Sequence, residues 1–320
     1  MLRFIVADTF RSVSAQIICF IALSLCLTGC DSSSVLAENT ANQPSSIIDI
    51  ATYNIQSLGQ PEDSRFNGTQ QQQIQLASKD IIQGGAEIYA LQEVADKPTL
   101  ALLLKSLNQS DQINSWGGAI SLNHIGHNRN QHNLAFIYQQ NIIKNASFQT
   151  LLSHQDSWPF VNRYPFMMTA KIHSEDSTHT LKLVNFHLKC CRGKRNNKRR
   201  AKAMALVIPY LNRHHNKDNM ILLGDLNVAG KGGAYGEIRD WGIYNDRDNN
   251  NIPDYFHAAG SVQDTIYNPS NTDSDIDHIL ISDELKPAWD AVSNSQRNRY
   301  LNTRVSDHSP VVTRLDLSKL

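Results

Sequence analysis

Met220-Ile221-Leu222-Leu223-Gly224-Asp225-Leu226-Asn227 is the stretch of this 320-residue chain that decides its fold. An apolar run of this length, followed by a glycine-rich loop, predicts a short buried strand. Asp225 and Asn227 stand where that strand ends. A buried strand holds its last residues rigidly while the loop beyond it opens to solvent, so functional groups gather there. We therefore take Asp225 and Asn227 as candidate site residues.

The same arrangement, an apolar run followed by a polar residue, recurs earlier in the chain. Asn54, Glu93 and His187 each directly follow such a run. One residue of this kind means little, but together they are of types suited to metal and phosphate. We expect these side chains to gather at the carboxyl ends of the strands.

Strands and helices interleave along the chain. Apolar alternation and short apolar runs predict strands at Ile48–Ile55, Glu87–Gln92, Leu134–Tyr138, Phe166–Ile172, Thr180–Leu188, Met220–Leu223, Asp277–Ser282 and Pro310–Leu315. Helical spacing predicts helices at Gln70–Gln83, Pro98–Leu107 and Asn197–Arg213. A polar turn between two of the strands predicts a hairpin. The mixture indicates an α/β protein with mixed sheets.

The N-terminus has the features of an export signal. Its apolar segment, Ile17–Leu27, is shorter than the roughly 20 residues that span a bilayer, but it suits a signal-peptide core. Leu27-Thr28-Gly29-Cys30 resembles a bacterial lipobox, which implies that residues 1–29 are a lipoprotein signal peptide and that Cys30 is the lipidation site. The protein would then be exported to the cell envelope and anchored by lipid to a bacterial membrane, facing the periplasm or the exterior. The alternatives are an ordinary cleaved signal and an uncleaved anchor.

Residues 30–46 differ in composition from the rest of the chain. They are rich in Ser, Asn, Ala and Gln without apolar periodicity, which predicts a flexible tether. Residues 47–320 suit one large domain. No feature implies a protein partner, and we expect a monomer.

Charge and cysteine content constrain the partners. The chain has 30 basic and 30 acidic residues, which argues against a general attraction to polyanions. Between residues 189 and 202, however, lies a run of lysines and arginines that includes Arg195, Arg199 and Arg200. Such a run is usually a solvated face but also suits phosphate binding. In the predicted domain only Cys190 and Cys191 remain, either as a strained vicinal disulfide or as free thiols.

Hydrolysis of a phosphodiester needs three kinds of group. Carboxylate and amide oxygens hold a hard cation, a histidine exchanges protons near neutral pH, and donors stabilise the transition state. The candidate residues that together supply all three are Asn54, Glu93, His187, Asp225, Asn227, Asp277, Asp307 and His308. Asp275 shares a strand face with Asp277 and is the alternative at that position.

Six short motifs appear in a fixed order. They are Thr52–Ile55, Leu91–Val94, Asn185–Leu188, Gly224–Asn227, Ile276–Ile279 and Ser306–Val311. Each alone is weak, but in this order they resemble the deoxyribonuclease I-like superfamily, also called endonuclease/exonuclease/phosphatase, over about residues 47–316. The resemblance implies two mixed sheets packed face to face with helices outside, a four-layer α/β sandwich. It also implies a hydrolase of phosphate esters that uses Mg²⁺ or Mn²⁺.

The resemblance further implies roles for individual residues. Glu93 would be the main metal ligand, with Asn54 beside it and Asp307 completing the acidic cluster. Asp225 would position or activate the attacking water, and Asn227 would stabilise the transition state.

The two histidines of the motifs receive roles in the same way. His308, oriented by Asp277, would be the general base or a phosphate-binding group. His187 would bind the scissile phosphate or protonate the leaving oxygen. Arg163 resembles a phosphate-contacting arginine. The chain departs from many relatives before Leu134, where a Tyr or Glu is usual and Asn130, His132 and Asn133 stand instead.

Residues 246–254 carry oxygen-bearing side chains at alternate positions, the spacing of a calcium-binding loop. The candidate ligands are Asp246, Asp248, Asn250 and Asp254. A structural Ca²⁺ site and a solvated polar loop are both open, and the missing acidic residue at the twelfth position favours the loop.

Substrate choice within this superfamily depends on loops. The basic run after His187 suits a nucleic-acid backbone, so a nuclease acting on DNA or RNA is the first expectation. A phosphatase or a phospholipid phosphodiesterase, of the sphingomyelinase or inositol-phosphatase kind, is the second. A surface-binding lipoprotein on the same scaffold is the non-enzymatic alternative.

Overall fold

The computed structural model describes residues 46–121, 132–173, 177–228, 236–247, 249–258 and 276–320. Within these ranges two six-stranded sheets pack face to face, and helices cover their outer faces. The expected four-layer α/β sandwich is confirmed. The proposed signal peptide, the lipidation site Cys30 and nearly all of the tether lie outside the described residues.

The first sheet is formed by strands from both ends of the described chain. Its strands are β1 (Ile47–Leu58), β2 (Ile88–Val94), β3 (Trp116–Ile120), β4 (Asn133–Gln139), β11 (Asn298–Tyr300) and β12 (Val311–Asp316). They lie in the order β11-β12-β1-β2-β4-β3. Only β1 and β2 pair in parallel, so the sheet is mixed.

The second sheet is formed by the middle of the chain. Its strands are β5 (Ile143–Thr150), β6 (Phe166–His173), β7 (Thr178–His187), β8 (Asn219–Asp225), β9 (Tyr255–His257) and β10 (Asp277–Ser282). They lie in the order β5-β6-β7-β8-β10-β9, and only β7 and β8 pair in parallel. The predicted hairpin is β6–β7.

Six helices lie in the described part of the chain, and two of them begin at clear capping signals. Their bounds are α1 (Gln70–Gly84), α2 (Lys97–Ser110), α3 (Lys194–His214), α4 (Gly236–Asp240), α5 (Lys286–Asp290) and α6 (Asn294–Arg297), with 3₁₀ turns at Pro61–Asp63, Asp283–Leu285 and Leu317–Lys319. Thr69 and Gln72 form a capping box at the start of α1, and Gly85 ends the helix in a left-handed conformation. Asp96 caps α2 by accepting from the Thr99 N–H at 2.8 Å.

Three apolar layers hold the sandwich together. Between the sheets, Ile50 and Phe136 of the first sheet share a buried cluster with Leu183 and Leu223 of the second. A second layer lies between α3 and the outer face of the second sheet, and a third between α1, α2 and the outer face of the first. Each sheet is therefore buried on both faces over its central strands, which explains the near-continuous apolar runs of β1, β2, β7 and β8.

The two parallel strand pairs bring their carboxyl ends to the same edge. In register, His187 of β7 lies beside Asp225 of β8, which lies beside Asp277 of β10. Gly224 permits this close approach because a Cβ at that position would lie 2.1 Å from the Phe186 carbonyl oxygen, and its φ is +138°. Any other residue at 224 would push β7 and β8 apart at the point where His187 and Asp225 meet.

In the described part of the chain, no helix is both long enough and apolar enough to cross a membrane.

At the other end of the first sheet, buried Asp49 and half-buried Glu87 give the protein a pH-dependent stability. Glu87 accepts a hydrogen bond from the Asp49 backbone N–H at 2.7 Å, and Asp49 also binds Arg299 and Arg314. Burial, together with the negative charge of Asp49, raises the pKa of Glu87 to about 7. The folded state therefore holds a proton that the unfolded state releases at lower pH, so stability falls as the pH rises from about 4.5 to about 7.

We expect Glu87→Gln to raise the free energy of unfolding at pH 8 by roughly 2 kcal/mol and to change it little at pH 4.5. Glutamine keeps an oxygen that accepts from Asp49 but carries no charge to bury. Urea unfolding at both pH values measures the effect. Glu62→Gln, on an exposed residue, is the matched control. An equal effect of Glu87→Gln at both pH values would contradict the assignment.

Candidate active site

Polar side chains from both sheets meet at the edge where the carboxyl ends of the two parallel strand pairs lie. The first sheet contributes Asn54 and Glu93, and the second contributes His187, Asp225 and Asp277. The ladder between β1 and β2 breaks after Asn54, where Gln56 and Ser57 have φ of 42° and 53°. Glu93 itself has a φ of 64°. These irregular backbones turn the strand ends inward, toward the second sheet.

Glu93 is held in its ionised form. Its Oε2 accepts from the Ser57 N–H at 3.0 Å, and its Oε1 accepts from Asn54 Nδ2 at 3.3 Å. His132 Nδ1 lies 3.1 Å from Oε2, and His187 Nε2 lies 3.8 Å from Oε1. Burial alone would raise the pKa of Glu93, but the interactions with His132 and His187 outweigh it and hold the pKa below its ordinary value.

Asp225 is buried at the centre of the cluster. Its Oδ1 accepts from the Asn227 N–H at 2.9 Å, and its Oδ2 accepts from Asn54 Nδ2 at 3.0 Å. His187 Nε2 lies 3.4 Å from the same Oδ2. Burial and then the negative charge of Asp277 raise the pKa of Asp225 to about 7. This carboxyl therefore exchanges protons near neutral pH.

Asp277 and His308 form a pair across the two sheets. His308 Nδ1 donates to Asp277 Oδ2 at 2.6 Å, and both side chains are buried. Burial would lower the pKa of His308, but the charge of Asp277 outweighs it and raises the pKa to about 10. His308 is therefore a cation at neutral pH. Asp275, the alternative to Asp277, lies outside the described residues.

His187 is buried beside a second histidine. Burial and the positive charge of Arg163 lower the pKa of His187, so its ring is neutral. Its Nδ1 has no hydrogen-bond partner among the described residues. The His132 ring meets it edge-on, with 6.2 Å between centroids.

Of the three residues that stand where many relatives have a Tyr or Glu, near the start of β4, one lies at this site. His132 contacts Glu93 as described above. Asn133 instead donates through Nδ2 to the Val94 and Ala95 carbonyls, at 3.2 and 2.7 Å. Asn130 lies outside the described residues.

Arg163 and Asn227 donate hydrogen bonds to the same backbone carbonyl at the site. Arg163 Nη2 and Asn227 Nδ2 each donate to the Leu188 oxygen at 3.1 Å. Burial lowers the pKa of Arg163, partly offset by the charges of Asp225 and Glu93. Arg163 therefore brings positive charge close to both carboxylates.

Two buried amides beneath the site were not identified from the sequence. Gln92 Nε2 donates to Asn185 Oδ1 at 2.8 Å, joining the first sheet to the second. Asn185 Nδ2 in turn donates to the Leu91 and Ala135 carbonyls, at 2.9 and 3.0 Å. The sequence did contain a signal for them. Each is an uncharged amide inside an apolar run, and a buried amide requires a hydrogen-bond partner.

Two of the expected metal ligands have other partners in the structure. Asn54 turns its amide nitrogen toward Glu93 and Asp225, and its oxygen accepts from the Gln56 N–H at 3.1 Å, so its role as a metal ligand stays a prediction. Asp307 Oδ1 lies 3.9 Å from His308 Nε2, and Asp307 Oδ2 lies 3.8 Å from Arg65 Nε. Glu93 is ionised and partly exposed, and its role as the main metal ligand stays a prediction.

A different group of potential ligands lies on the other side of the cluster. Atoms of Asp225, Asp277 and His308 lie within 4.8 Å of one another, the set of three such side chains found among the described residues. The short bond between Asp277 and His308 already uses one ligand atom of each. This set therefore contains one hydrogen-bonded pair, Asp277 and His308, with Asp225 beside it.

The three arginines of the basic run that were expected to bind substrate differ in their surroundings. Arg195 is exposed at the start of α3. Arg199 is half-buried, donates to the Trp158 carbonyl at 2.8 Å and stacks on the Trp158 ring at 4.9 Å. Arg200 is only 2% exposed and binds both oxygens of Glu237, at 2.8 and 3.0 Å. Arg200 is therefore held by Glu237 rather than open to solvent, and its role in substrate binding stays a prediction.

Arg200→Ala is expected to destabilise the protein by about 3 kcal/mol, because it leaves Glu237 without its buried partner. Arg195→Ala, on the same helix, is expected to change stability by less than about 0.5 kcal/mol. Thermal and urea unfolding of both variants measure the difference. Similar stabilities for the two variants would show that Arg200 has no structural role.

The described calcium-ligand candidates have protein partners in the structure. Asp246 accepts from the N–H groups of Asn250 and Asn251, and Asn250 donates to Asp283. Asp254 forms an ion pair with Arg247 at 2.7 Å. Asp248 lies outside the described residues. The described part of the loop supports the polar-loop alternative.

Two packed mixed sheets with carboxylates, amides and histidines at one shared edge define a scaffold for hydrolysis of phosphate esters. Residues 51–308 match the model of the Endonuclease/Exonuclease/phosphatase family, and the chain belongs to that family. Its members hydrolyse phosphoester bonds and typically use divalent metal ions.

Solved structures share the fold at low sequence identity. The endonuclease/exonuclease/phosphatase from Bacteroides vulgatus is 16% identical with a TM-score of 0.55, over 84% of this chain and 98% of that one. A family protein from Leptotrichia buccalis is 17% identical with a TM-score of 0.53, over 84% and 99%. A mannosyl-6-phosphatase from Bacteroides thetaiotaomicron is 16% identical with a TM-score of 0.51, over 83% and 98%. Identities at this level establish the fold alone. A search of curated proteins finds no match to the sequence.

Proposed function

We propose that the protein is a divalent-metal-dependent phosphodiesterase and that nucleic acid is its substrate. The observation that carries the proposal is the 2.6 Å pair between Asp277 and His308, which spans the two sheets next to Asp225 and across the cluster from Glu93. A cationic histidine, a carboxyl that titrates near pH 7 and an ionised carboxylate are the groups that phosphodiester hydrolysis requires.

The residues present fit a hard divalent cation. Glu93 is the main ligand and Asp307 the second, and both offer carboxylate oxygens, which suit Mg²⁺ or Mn²⁺. When bound, such an ion offsets negative charge on the phosphoryl oxygens. Asn54 positions both carboxylates by donating to Glu93 and Asp225.

The remaining side chains act on substrate and water. The pKa of His308 keeps its ring protonated, so of its two expected roles the phosphate-binding one is favoured, with Asp277 orienting the ring. Asp225 accepts a proton from the attacking water. Neutral His187 donates a hydrogen bond to the scissile phosphate or a proton to the leaving oxygen. Asn227 and Arg163 stabilise the charge that develops in the transition state.

Exposed cations on both sides of the edge support nucleic acid as the substrate. On the second sheet's side, Arg195 and Lys198 are exposed at the start of α3. On the first sheet's side, Arg65 and Arg304 line a cleft of about 510 Å³ together with Asp307. A strand crossing the site would meet positive charge before and after the scissile phosphate.

The test is a substrate panel of plasmid DNA, RNA, sphingomyelin, inositol phosphates and a sugar monophosphate, each with and without magnesium. The monophosphate is included because a phosphatase shares this fold. We expect magnesium-dependent cleavage of a nucleic acid. Activity only on a monophosphate or a phospholipid would replace the proposed substrate and keep the site. Inactivity on every substrate, combined with binding to nucleic acid or lipid, would favour the surface-binding lipoprotein.

We further propose that the protein is an exported lipoprotein, with residues 1–29 as the signal peptide, residues 30–46 as the tether and residues 47–320 as the domain. Cys30→Ser is expected to release the protein from the membrane fraction and to abolish incorporation of labelled lipid, because it removes the thiol that carries the diacylglycerol. Membrane fractionation and labelling of wild type and variant measure this. Equal membrane association of both would contradict the anchor.

A further inference from the structure

Two adjacent thiols directly follow the strand that ends in His187. The Sγ atoms of Cys190 and Cys191 are 2.8 Å apart, and Lys189 Nζ lies 3.1 Å from Cys190 Sγ. Both thiols are free, Cys191 is exposed and Cys190 is half-buried. Burial would raise the pKa of Cys190, but the hydrogen bonds from Cys191 and Lys189 outweigh it and lower the pKa. The Cys190 sulfur, whose lowered pKa favours the nucleophilic thiolate, therefore has the Cys191 sulfur beside it.

The backbone that carries the thiols also holds parts of the candidate active site. The Lys189 and Cys191 carbonyls accept from Arg200 Nη1 at 2.7 and 3.2 Å. The Leu188 carbonyl, one residue earlier, accepts from Arg163 and Asn227. Cys191 has a φ of 77°, an unfavourable conformation that the surrounding contacts maintain. Lys189 alone separates Leu188 from Cys190 in the chain. A change of backbone conformation at the two thiols is therefore transmitted to the Leu188 carbonyl.

We propose that Cys190 and Cys191 form a modification site that reacts with a small-molecule disulfide and becomes a vicinal disulfide. The Cys190 thiolate attacks one sulfur of the small disulfide, and the first thiol leaves. The Cys191 sulfur then attacks the mixed disulfide on Cys190, and the second thiol leaves. The two cysteines are oxidised by two electrons, the small disulfide is reduced to two thiols, and the two cysteine protons end on those thiols.

Closing the bond would alter the loop. The sulfur atoms must approach from 2.8 Å to about 2.05 Å, and the bond encloses the Cys190–Cys191 peptide in a small ring. Closing the ring would change the torsions that now place the Cys191 carbonyl on Arg200. We expect the Leu188 carbonyl to shift with them and to misplace Arg163 and Asn227. This effect on catalysis rests on the proposed function, whereas the thiol chemistry does not.

The first test follows the chemistry and needs no enzyme assay. Full-length protein is incubated with oxidised glutathione and mapped by peptide mass spectrometry without reduction. We expect the wild-type peptide that contains both cysteines to be lighter by two hydrogen atoms and to carry no glutathionyl group. Cys190→Ser and Cys191→Ser should each stop with one glutathionyl group on the remaining cysteine. Unmodified thiols in wild type, or a stable glutathionyl adduct there, would overturn the proposal.

The second test follows the coupling to the site. Oxidised wild type should cleave substrate several-fold more slowly than the reduced protein, and dithiothreitol should restore the rate. The variant with both cysteines replaced by serine should be unaffected by either reagent. Equal rates of the mapped disulfide form and the reduced form would overturn the coupling and leave the modification site standing. Absence of activity in both forms would count against the proposed function only.

Discussion

Replacing His308 with alanine is expected to lower kcat by about 10²–10³-fold, the range for removing one donor that stabilises charge in the transition state. His308 is a buried cation bonded to the Asp277 carboxylate. Its loss removes positive charge from the place where the proposed function puts the phosphate. Asp277 is then left buried with both oxygens unpartnered among the described residues. Steady-state cleavage of the substrate identified by the panel measures the loss.

Two further variants make this expectation specific. Asp277→Asn should also be slow, and the double variant should be little worse than His308→Ala alone, because the two residues act as one unit. His154→Ala, on an exposed histidine, is the matched control and should retain full activity. Thermal unfolding of each variant separates loss of the group from loss of the fold. A folded His308→Ala protein with wild-type kcat would refute the assignment.

Replacing Glu93 with glutamine is the second substitution with a large expected effect. Glutamine keeps the shape and can still accept from the Ser57 N–H, but it lacks the negative charge that a hard cation requires. We expect the magnesium concentration for half-maximal activity to rise by at least about tenfold and kcat to fall. Titration of activity with magnesium measures both quantities.

The control for Glu93 is again an exposed carboxylate. Glu62→Gln should leave the magnesium dependence of the wild type unchanged. If Glu93→Gln lowered kcat without changing the magnesium requirement, Glu93 would have a role other than metal binding. Full activity of the wild type in excess EDTA would instead exclude the proposed metal dependence altogether.

The strands predicted from the sequence are those whose periodicity reflects burial. β1, β2, β7 and β8 are buried on both faces and appear as apolar runs, so both their existence and their carboxyl ends were predictable. β3 and β5 were missed, as were the three-residue strands β9 and β11. Each lies at an edge of its sheet: β5 is largely exposed and has no clean alternation, and β3 contains two adjacent glycines. The strand conformation of β3 and β5 comes from pairing with β4 and β6, which local sequence does not reveal.

The same physical limit applies to the site. The gathering of Glu93, His187 and Asp225 followed from where strands end, because parallel strands align their carboxyl ends. Residue types alone could not reveal which partner each side chain takes. Arg200 lies in a basic run, yet helical periodicity turns it inward to Glu237, 37 residues later in the chain. The orientation of the Asn54 amide depends on two carboxylates from different sheets.

The hydrogen bond between Gln92 and Asn185 has a consequence for sheet alignment. Apolar side chains between two sheets tolerate sliding, since one methyl group replaces another at little cost. A buried amide pair does not, because a shift of one residue would take Asn185 away from Gln92 and from the Leu91 and Ala135 carbonyls of the first sheet. The pair therefore fixes the offset between the sheets one layer below Glu93 and His187. A chimera that took one sheet from another family member should keep the geometry of its site only if both amides are transferred together.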